Sequence, residues 1–371
     1  MRPRNASLLT AALTLSVACG DDSRETGGSA SASGATIGTI TVSGSASASA
    51  SASASGTDGG TDSDGTSAGT EGSASSASGA SDTIPGPKFD LGEVPDGGIF
   101  PEDEGCKNVD LLFVIDNSGS MEDEQVNLIN SFPGFVNAMQ MQLDSAESYH
   151  VGVTTSDVNA YNACSGFGSL VTRTGGANSS NATCTPYASG KAFMNEADDL
   201  GQKFQCAAKV GTGGDGNEQP MYTMGLALSQ GLNGPGACND GFIREDALLV
   251  VVVITDEEDD HEVNACNQLP QSGSPGEPGD WYNQLVAVKS GVESNIVVLS
   301  LIGPPAPNSC PALDKCNGGI QGAEVASRIA QFTGMFTYGT VGQVCAPSYD
   351  TFFSQAIGVI DSACKNFKPP G

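Results

Sequence analysis

The sequence predicts an α/β fold: a doubly wound, mostly parallel central sheet with helices on both faces and disulfide-braced loops. Three observations predict it. Uninterrupted apolar runs such as VDLLFVI (109–115) and ALLVVVVITD (247–256) read as strands buried on both faces. Segments with helical spacing alternate with these runs, the order that builds parallel crossovers. The same half of the chain carries ten of the eleven cysteines, from Cys106 to Cys364, and an even set in an exported chain reads as a disulfide framework.

Taken in order, the chain begins with MRPRNASLLTAALTLSVAC. Arg2 and Arg4 precede an apolar stretch from Leu8 to Ala18, the pattern of a secretory signal and too short for a membrane span. Residues 20–88 are mostly Ser, Ala, Gly, Thr and Asp, with the near-repeat SGSASASASASASG and no aromatic residue before Phe89. Such a stretch has too little apolar surface to offset its ordering entropy, so a disordered linker is expected. A flexible coil of about 65 residues reaches roughly 45 Å, a suitable tether. Residues 89–371 then form one large domain, with a core of about 106–367.

Within that domain, 109–115 is the first strand. Residues 126–140 have helical spacing that Pro133 is expected to kink or end. YHVGVTTSD (149–157) is the next strand, and the Gly-, Asn- and Cys-rich stretch 158–190 an elaborated loop. Residues 219–232 read as one helix with Pro220 in its first turn. The strongest strand, 247–256, is followed by a helix over 281–291 with Gly291 as its C-cap, a strand over 295–303, and helices over 324–334 and 351–367. Cys310 and Cys316 enclose a short Pro-rich loop and are expected to pair with each other. No C-x-x-C pair suggests a structural zinc site.

Net charge is −28, from 43 acidic against 15 basic residues. That excludes nucleic acid and docking on an anionic membrane face, and suits divalent cations or basic partners.

Two of the apolar strands end on a carboxylate: LLFVID at Asp116 and VVVITD at Asp256. In an open parallel sheet, ligands sit outside the carboxyl ends of the strands. A carboxylate at a buried strand end must be paired or bind a cation. Hard oxygen donors without histidine or cysteine suit Mg²⁺, Ca²⁺ or Mn²⁺. After Asp116, the spacing D-x-S-x-S lets one tight turn direct Asp116, Ser118 and Ser120 inward, with Asn117 and Gly119 tolerating unusual backbone angles.

These residues resemble the von Willebrand factor type A family, the integrin I-domain fold. DNSGS matches the start of that family's metal-ion-dependent adhesion site, and ITDEE places Asp256 where the family has its distal aspartate. The resemblance runs from about Cys106 to Phe367. It implies a divalent cation held by Asp116, Ser118, Ser120 and Asp256, with one open position that an acidic side chain of a protein partner fills. The family's threonine ligand has no match. Counting back from Gly225, its place falls near Glu218–Pro220, so Glu218 is the leading substitute, then Thr223, with Thr212 last. Asp157 is a further carboxylate at this edge, read as a turn cap, and the run Asp256–Glu262 as a solvated face.

The end of the leader, LSVAC, resembles a bacterial lipobox, although Ser16 stands where the motif prefers Leu. It implies lipidation at Cys19, with the membrane reached through that anchor alone, and Gly20 favours the outer membrane and cell surface. Catalysis is not expected. A serine nucleophile needs a histidine, and of the two present His150 opens a strand at the far edge while His261 lies in an acidic loop lacking H-E-x-x-H. Cation-dependent adhesion is the leading reading. A structural envelope module with a stabilising metal is the alternative, and a metal-assisted hydrolase the least supported.

Overall fold

The computed structural model describes residues 105–143, 146–158, 164–259, 261, 272–314, 316 and 321–369. The leader, the linker, Cys19 and residues 89–104 lie outside them, as does Cys266. Strands β1 (Asn108–Ile115), β2 (Ser148–Thr155), β3 (Met194–Asn195), β4 (Ala247–Ile254), β5 (Ile296–Ile302) and β6 (Gly339–Gln343) form one sheet in the order β3-β2-β1-β4-β5-β6. All pairings are parallel except that of β2 with β3. Helices α1 (Glu122–Gln142), α2 (Leu200–Ala208) and α7 (Asp350–Lys365) share a core with one face. The other face packs α3 (Pro220–Ala227), α5 (Pro278–Val288) and α6 (Ser327–Gly334), while the short α4 (Gln230–Asn233) follows α3. This is the doubly wound architecture expected from the sequence.

The period of two explains why the central strands are apolar throughout. From β1, Leu111, Phe113 and Ile115 enter the layer shared with α1 and α7, while Leu112 and Val114 enter the layer shared with α3 and α5. In β4, Val250 and Val252 divide from Leu249, Val251 and Val253 in the same way. A polar residue on either face would lie buried without water, so no alternation survives. Among the described residues no helix is long and apolar enough to cross a membrane.

Four details differ from expectation. Helix α1 runs through Pro133 instead of ending there. Pro133 faces solvent, so the lost hydrogen bond falls on the wet side, while Phe135, Val136 and Met139 beyond it stay anchored in the core. The helix over 219–232 breaks into α3 and α4 at Leu228–Ser229, where the Ser229 hydroxyl caps the Leu226 carbonyl at 2.7 Å. Cys310 pairs with Cys345, not with Cys316, which is itself disulfide-bonded. The backbone N–H and hydroxyl of Ser309 both donate to Gln343 Oε1, at 3.0 and 2.6 Å, which lays Cys310 beside the end of β6. Finally, the structure adds β3, α2 and β6 to the expected elements; β3 and β6 are short and weakly apolar, whereas α2 has an Asp199 N-cap and apolar residues at helical spacing that mark it. In β6, a side chain at Gly342 would stand 2.4 Å from Phe352, so the closeness of α7 requires the glycine that disguises the strand.

Three further disulfides join Cys106 to Cys364, Cys164 to Cys238 and Cys184 to Cys206. The first ties the entry of β1 to the last turn of α7.

Candidate metal centre

The register sets three strand ends level. Ile115 stands opposite Thr155 on β2 and Ile254 on β4. The ladder then runs on by one step, with Asp116 N–H donating to Ile254 O at 2.9 Å and Ser156 N–H to Ile115 O at 3.2 Å. Asp116, Ser156 and Thr255 therefore lie side by side where the sheet stops.

Asp116 is fully buried. Its Oδ1 accepts the Ser118 N–H at 2.7 Å, which closes the DNSGS turn, and its Oδ2 accepts the Thr255 hydroxyl at 2.6 Å. The turn brings the Ser118 and Ser120 hydroxyls to 3.1 Å from each other. Ser118 is buried and Ser120 half-exposed, so the turn opens to solvent at its far end. Gln125, buried on the first turns of α1, donates to the Asp116 carbonyl at 3.1 Å and to the Gly211 carbonyl at 2.9 Å, and accepts from Gly211 N–H at 3.1 Å. One side chain thus ties the DNSGS turn to the loop that precedes α3. Gly214 donates to the Asn117 carbonyl at 2.9 Å, and a Cβ there would lie 2.3 Å from the Asn117 amide.

Glu218 ends that loop and is only 4% exposed. Its position is set by Gln219 N–H donating to Ser156 O at 3.0 Å and by Pro220 opening α3. No donor meets either oxygen of Glu218 or of Asp256, which is 1% exposed, at good hydrogen-bond geometry, although the Ser156 and Ser120 hydroxyls lie near enough to favour their ionised forms. Burial first, and then the charge of Asp116, pushes the Glu218 carboxyl well above the usual carboxylate range; the nearby Ser156 hydroxyl pulls the other way. Burial and Asp116 likewise push Asp256 up to about 8, against the pull of the Ser120 hydroxyl. Burial raises Asp116 too, opposed by its hydrogen bonds from Thr255 and Ser118. Asp116, Ser118, Ser120, Asp256 and Glu218 thus belong to one electrostatic neighbourhood.

The two alternatives to Glu218 are engaged elsewhere. Thr223, inside α3, donates its hydroxyl to Ser156 O at 3.3 Å. Thr212 accepts the Asn178 amide at 3.0 Å on the surface. Asp157 is buried, accepts Asp215 N–H at 2.8 Å through Oδ2, and leaves Oδ1 without a donor. His150 lies at the opposite edge of the sheet, paired with Asp110 in register, its Nδ1 2.8 Å from Phe242 O. His261 is exposed.

The acidic run after β4 is not a solvated face. Asp256, Glu257 and Asp259 are all buried, while Asp260 and Glu262 lie outside the described residues. Asp259 accepts the Met221 N–H at 3.0 Å and the Ser274 hydroxyl at 2.6 Å, so it caps the start of α3, where a negative charge meets the helix dipole. Arg328 donates to the Asp259 carbonyl at 2.6 Å and lies 4.8 Å over the Trp281 ring, clamping the loop from the α6 side.

Sequence reasoning also missed Asp123 and Glu124, which read as ordinary acids of a helix first turn. Glu124 is 1% exposed, and Glu124 Oε2 and Asp123 Oδ1 accept no hydrogen bond. Burial, Asp123 and Asp256 push Glu124 up to about 10. Thr255 and Gln125 were missed as well; no signal marks a threonine or glutamine whose partners lie 139 or 86 residues away.

Among the described residues, no three His, Cys, Asp or Glu side chains converge closely enough to hold a metal ion by themselves. Any donor set here needs the hydroxyls of Ser118 and Ser120 beside the carboxylates. The chemistry of that set fits a hard divalent cation: all donors are oxygens, and four buried carboxylate oxygens lack a partner.

No protein-family model matches the chain, and no curated protein does. Several solved structures are similar to it. One is proximal thread matrix protein 1 from the mussel byssus, at 11% identity and a TM-score of 0.35, over 70% of this chain and 49% of that one. Another structure of that protein, with a zinc-occupied MIDAS motif, matches at 12% identity and a TM-score of 0.34 over the same shares. The pilus adhesin SpaC from Lactobacillus rhamnosus GG matches at 12% identity and 0.35, over 68% of this chain and 30% of that one. Manganese-loaded TRAP protein of Plasmodium vivax matches at 13% identity and 0.31, over 70% and 74%. The chain spans about half the length of the mussel protein and less than a third of the pilus adhesin. What this chain binds is inferred from its own residues rather than from these likenesses.

Proposed function

We propose that the carboxyl edge of this sheet holds a divalent cation, Mg²⁺, Ca²⁺ or Mn²⁺, and that the domain binds a protein partner there in a cation-dependent way. Asp116, Ser118, Ser120 and Asp256 hold the ion, with Glu218 beside Asp116. The observation that carries this reading is the set of four orphaned oxygens on Asp256 and Glu218, buried next to Asp116 and a hydroxyl pair. Carboxylates desolvated to this degree either hold a proton or meet a positive charge, and a cation meets both at once.

When bound, the ion supplies an attachment point for an acidic side chain of the partner. The chain's own residues do the rest. Thr255 and the Ser118 N–H orient Asp116. Gln125 holds the turn against the loop before α3, and Arg328 holds the loop after Asp256. The half-exposed Ser120 marks the side from which a partner approaches. In the same reading the chain is exported, lipidated at Cys19 and tethered by residues 20–88 at the outer membrane or cell surface, and it performs adhesion rather than catalysis. The depth of burial favours a second reading, in which the ion braces the loops at this edge and the module is structural.

The test is thermal melting of the full chain in chelator and with each cation, on wild type and Asp116→Ala. A cation that binds only the folded state adds about 2.7 kcal/mol at a hundred times its dissociation constant. A rise lost in Asp116→Ala supports the site. No rise with any cation removes it.

A further inference from the structure

Glu218 distinguishes this site from a minimal one. Its carboxylate is 4% exposed and meets no donor at good hydrogen-bond geometry. Its place is not left to a mobile loop: Gln219 N–H bonds Ser156 O at 3.0 Å, and Ser156 N–H bonds Ile115 O at 3.2 Å, so Glu218 is fastened to the strand end that carries Asp116. No described lysine or arginine forms an ion pair with Asp116, Glu218 or Asp256. Without a cation these carboxyls can shed their charge only by holding protons, and a cation from outside the chain lets them ionise together.

The donor inventory decides between cations. Glu218 and Asp256 offer four oxygens without a well-formed hydrogen bond, Ser118 and Ser120 add two hydroxyls, and Asp116 adds a carboxylate already held by Thr255 and the Ser118 N–H. Mg²⁺ takes six ligands in strict octahedral geometry and gives up its waters reluctantly, whereas Ca²⁺ accepts about six to eight oxygens in irregular arrangements. A set this rich in oxygen and this dry suits the larger ion. Three carboxylates also exceed the charge of one divalent ion, so loading needs no further acid.

We propose that Glu218 is a cation ligand that makes the site selective for Ca²⁺ over Mg²⁺ and lets it fill before any partner arrives. The proposal rests on the cation reading above. A partner's acidic side chain then joins a loaded site and is not required to load it.

The test is calorimetric titration of the full chain with Ca²⁺ alone and Mg²⁺ alone, on wild type, Glu218→Gln and Asp116→Ala, with folding checked by near-UV circular dichroism. Wild type is expected to bind one Ca²⁺ at least about tenfold more tightly than Mg²⁺, with no partner present. Glu218→Gln is expected to narrow that ratio to about threefold or less, chiefly by weakening Ca²⁺. Asp116→Ala is expected to lose both ions. A wild type that prefers Mg²⁺, or a folded Glu218→Gln that keeps the wild-type ratio, overturns the proposal and leaves the cation site standing. A folded wild type that binds neither ion overturns the cation reading, and this proposal with it. The wild-type ratio is decisive even if the variant fails to fold.

Discussion

Replacing Glu218 with glutamine should stabilise the protein in chelator. The side chain is 4% exposed and both its oxygens lack donors, so the wild-type fold carries an unsatisfied buried carboxylate close to Asp116. An orphaned buried polar group costs about 1–3 kcal/mol, more when charged. Glutamine has nearly the same shape, cannot ionise, and brings two N–H donors to a neighbourhood of carboxylates. A gain of about 2 kcal/mol follows, which for a domain of this size is a rise of about 4–8 °C in melting temperature. Calcium should then narrow the gap. At a hundred times the wild-type dissociation constant, wild type gains about 2.7 kcal/mol, and a variant binding tenfold more weakly gains about 1.4. The difference between the proteins should shrink by about 1.3 kcal/mol. Differential scanning calorimetry with chelator and with Ca²⁺ reads both numbers. If Glu218→Gln melts below wild type in chelator, Glu218 has a stabilising partner and the reasoning from its orphaned oxygens is wrong.

The remaining predictions concern pH, the opposite sheet edge and the disulfide frame. Asp256 is pushed up to about 8, so in chelator the folded state keeps a proton that the unfolded chain releases near pH 4. The stability of the metal-free protein should therefore fall as pH rises through this window, by about 1.4 kcal/mol per pH unit, and Asp256→Asn should remove that much slope from urea melts between pH 5 and 8. Arg244→Met leaves the fully buried Asp110 without its 2.8 Å guanidinium partner and should cost about 3–5 kcal/mol. Much of that loss should return in the double variant with Asp110→Asn, and the cation-induced shift in melting should be unchanged because the pair lies at the other end of β1. Replacing Cys106 and Cys364 by alanine opens a cross-link between residues 258 apart and should cost about 5 kcal/mol by chain entropy, read from urea melts.

The fold was legible where burial dictates composition. The runs at 109–115 and 247–256 can be apolar on every residue only if both faces are covered, and the structure puts alternate residues into two separate layers. Legibility failed where local sequence and tertiary context disagree. Gly342 hides β6 because α7 approaches too closely for a side chain. Pro133 suggests a kink or a stop, and its exposed position excludes the stop by letting α1 continue. Cys310 lies nearer in sequence to Cys316 than to Cys345, but the Ser309–Gln343 hydrogen bonds set its neighbours. At the candidate site, Asp116, Ser118, Ser120 and Asp256 could be read from their places at strand ends, and Glu218 from its distance to Gly225. Thr255, Gln125 and the burial of Asp259 could not, since each is defined by a partner from a distant part of the chain.

The two ends of β1 show why the polar residues at one of them call for a ligand. Asp110 and Asp116 sit six residues apart on and just beyond the same strand, both fully buried. Asp110 has a cationic partner within the chain: Arg244 donates to it through Nε at 2.8 Å and through its backbone N–H at 2.7 Å, and although burial still raises its pKa, the charges of Arg244 and Lys289 oppose that rise. Asp116 has hydroxyl and amide donors but no ion pair among the described residues. Near it, among the described residues, lie carboxylate oxygens without a donor: one each on Asp123, Glu124 and Asp157, and both on Glu218 and Asp256. The fold supplies one buried aspartate with a cation and leaves the other end of that strand without an ion pair among the described residues. Marginal stability tolerates such a deficit where function needs it. A cation held with the Ser118 and Ser120 hydroxyls would lower the cost of charge on Asp116, Asp256 and Glu218 at once, because each feels the charge of Asp116 or bears it.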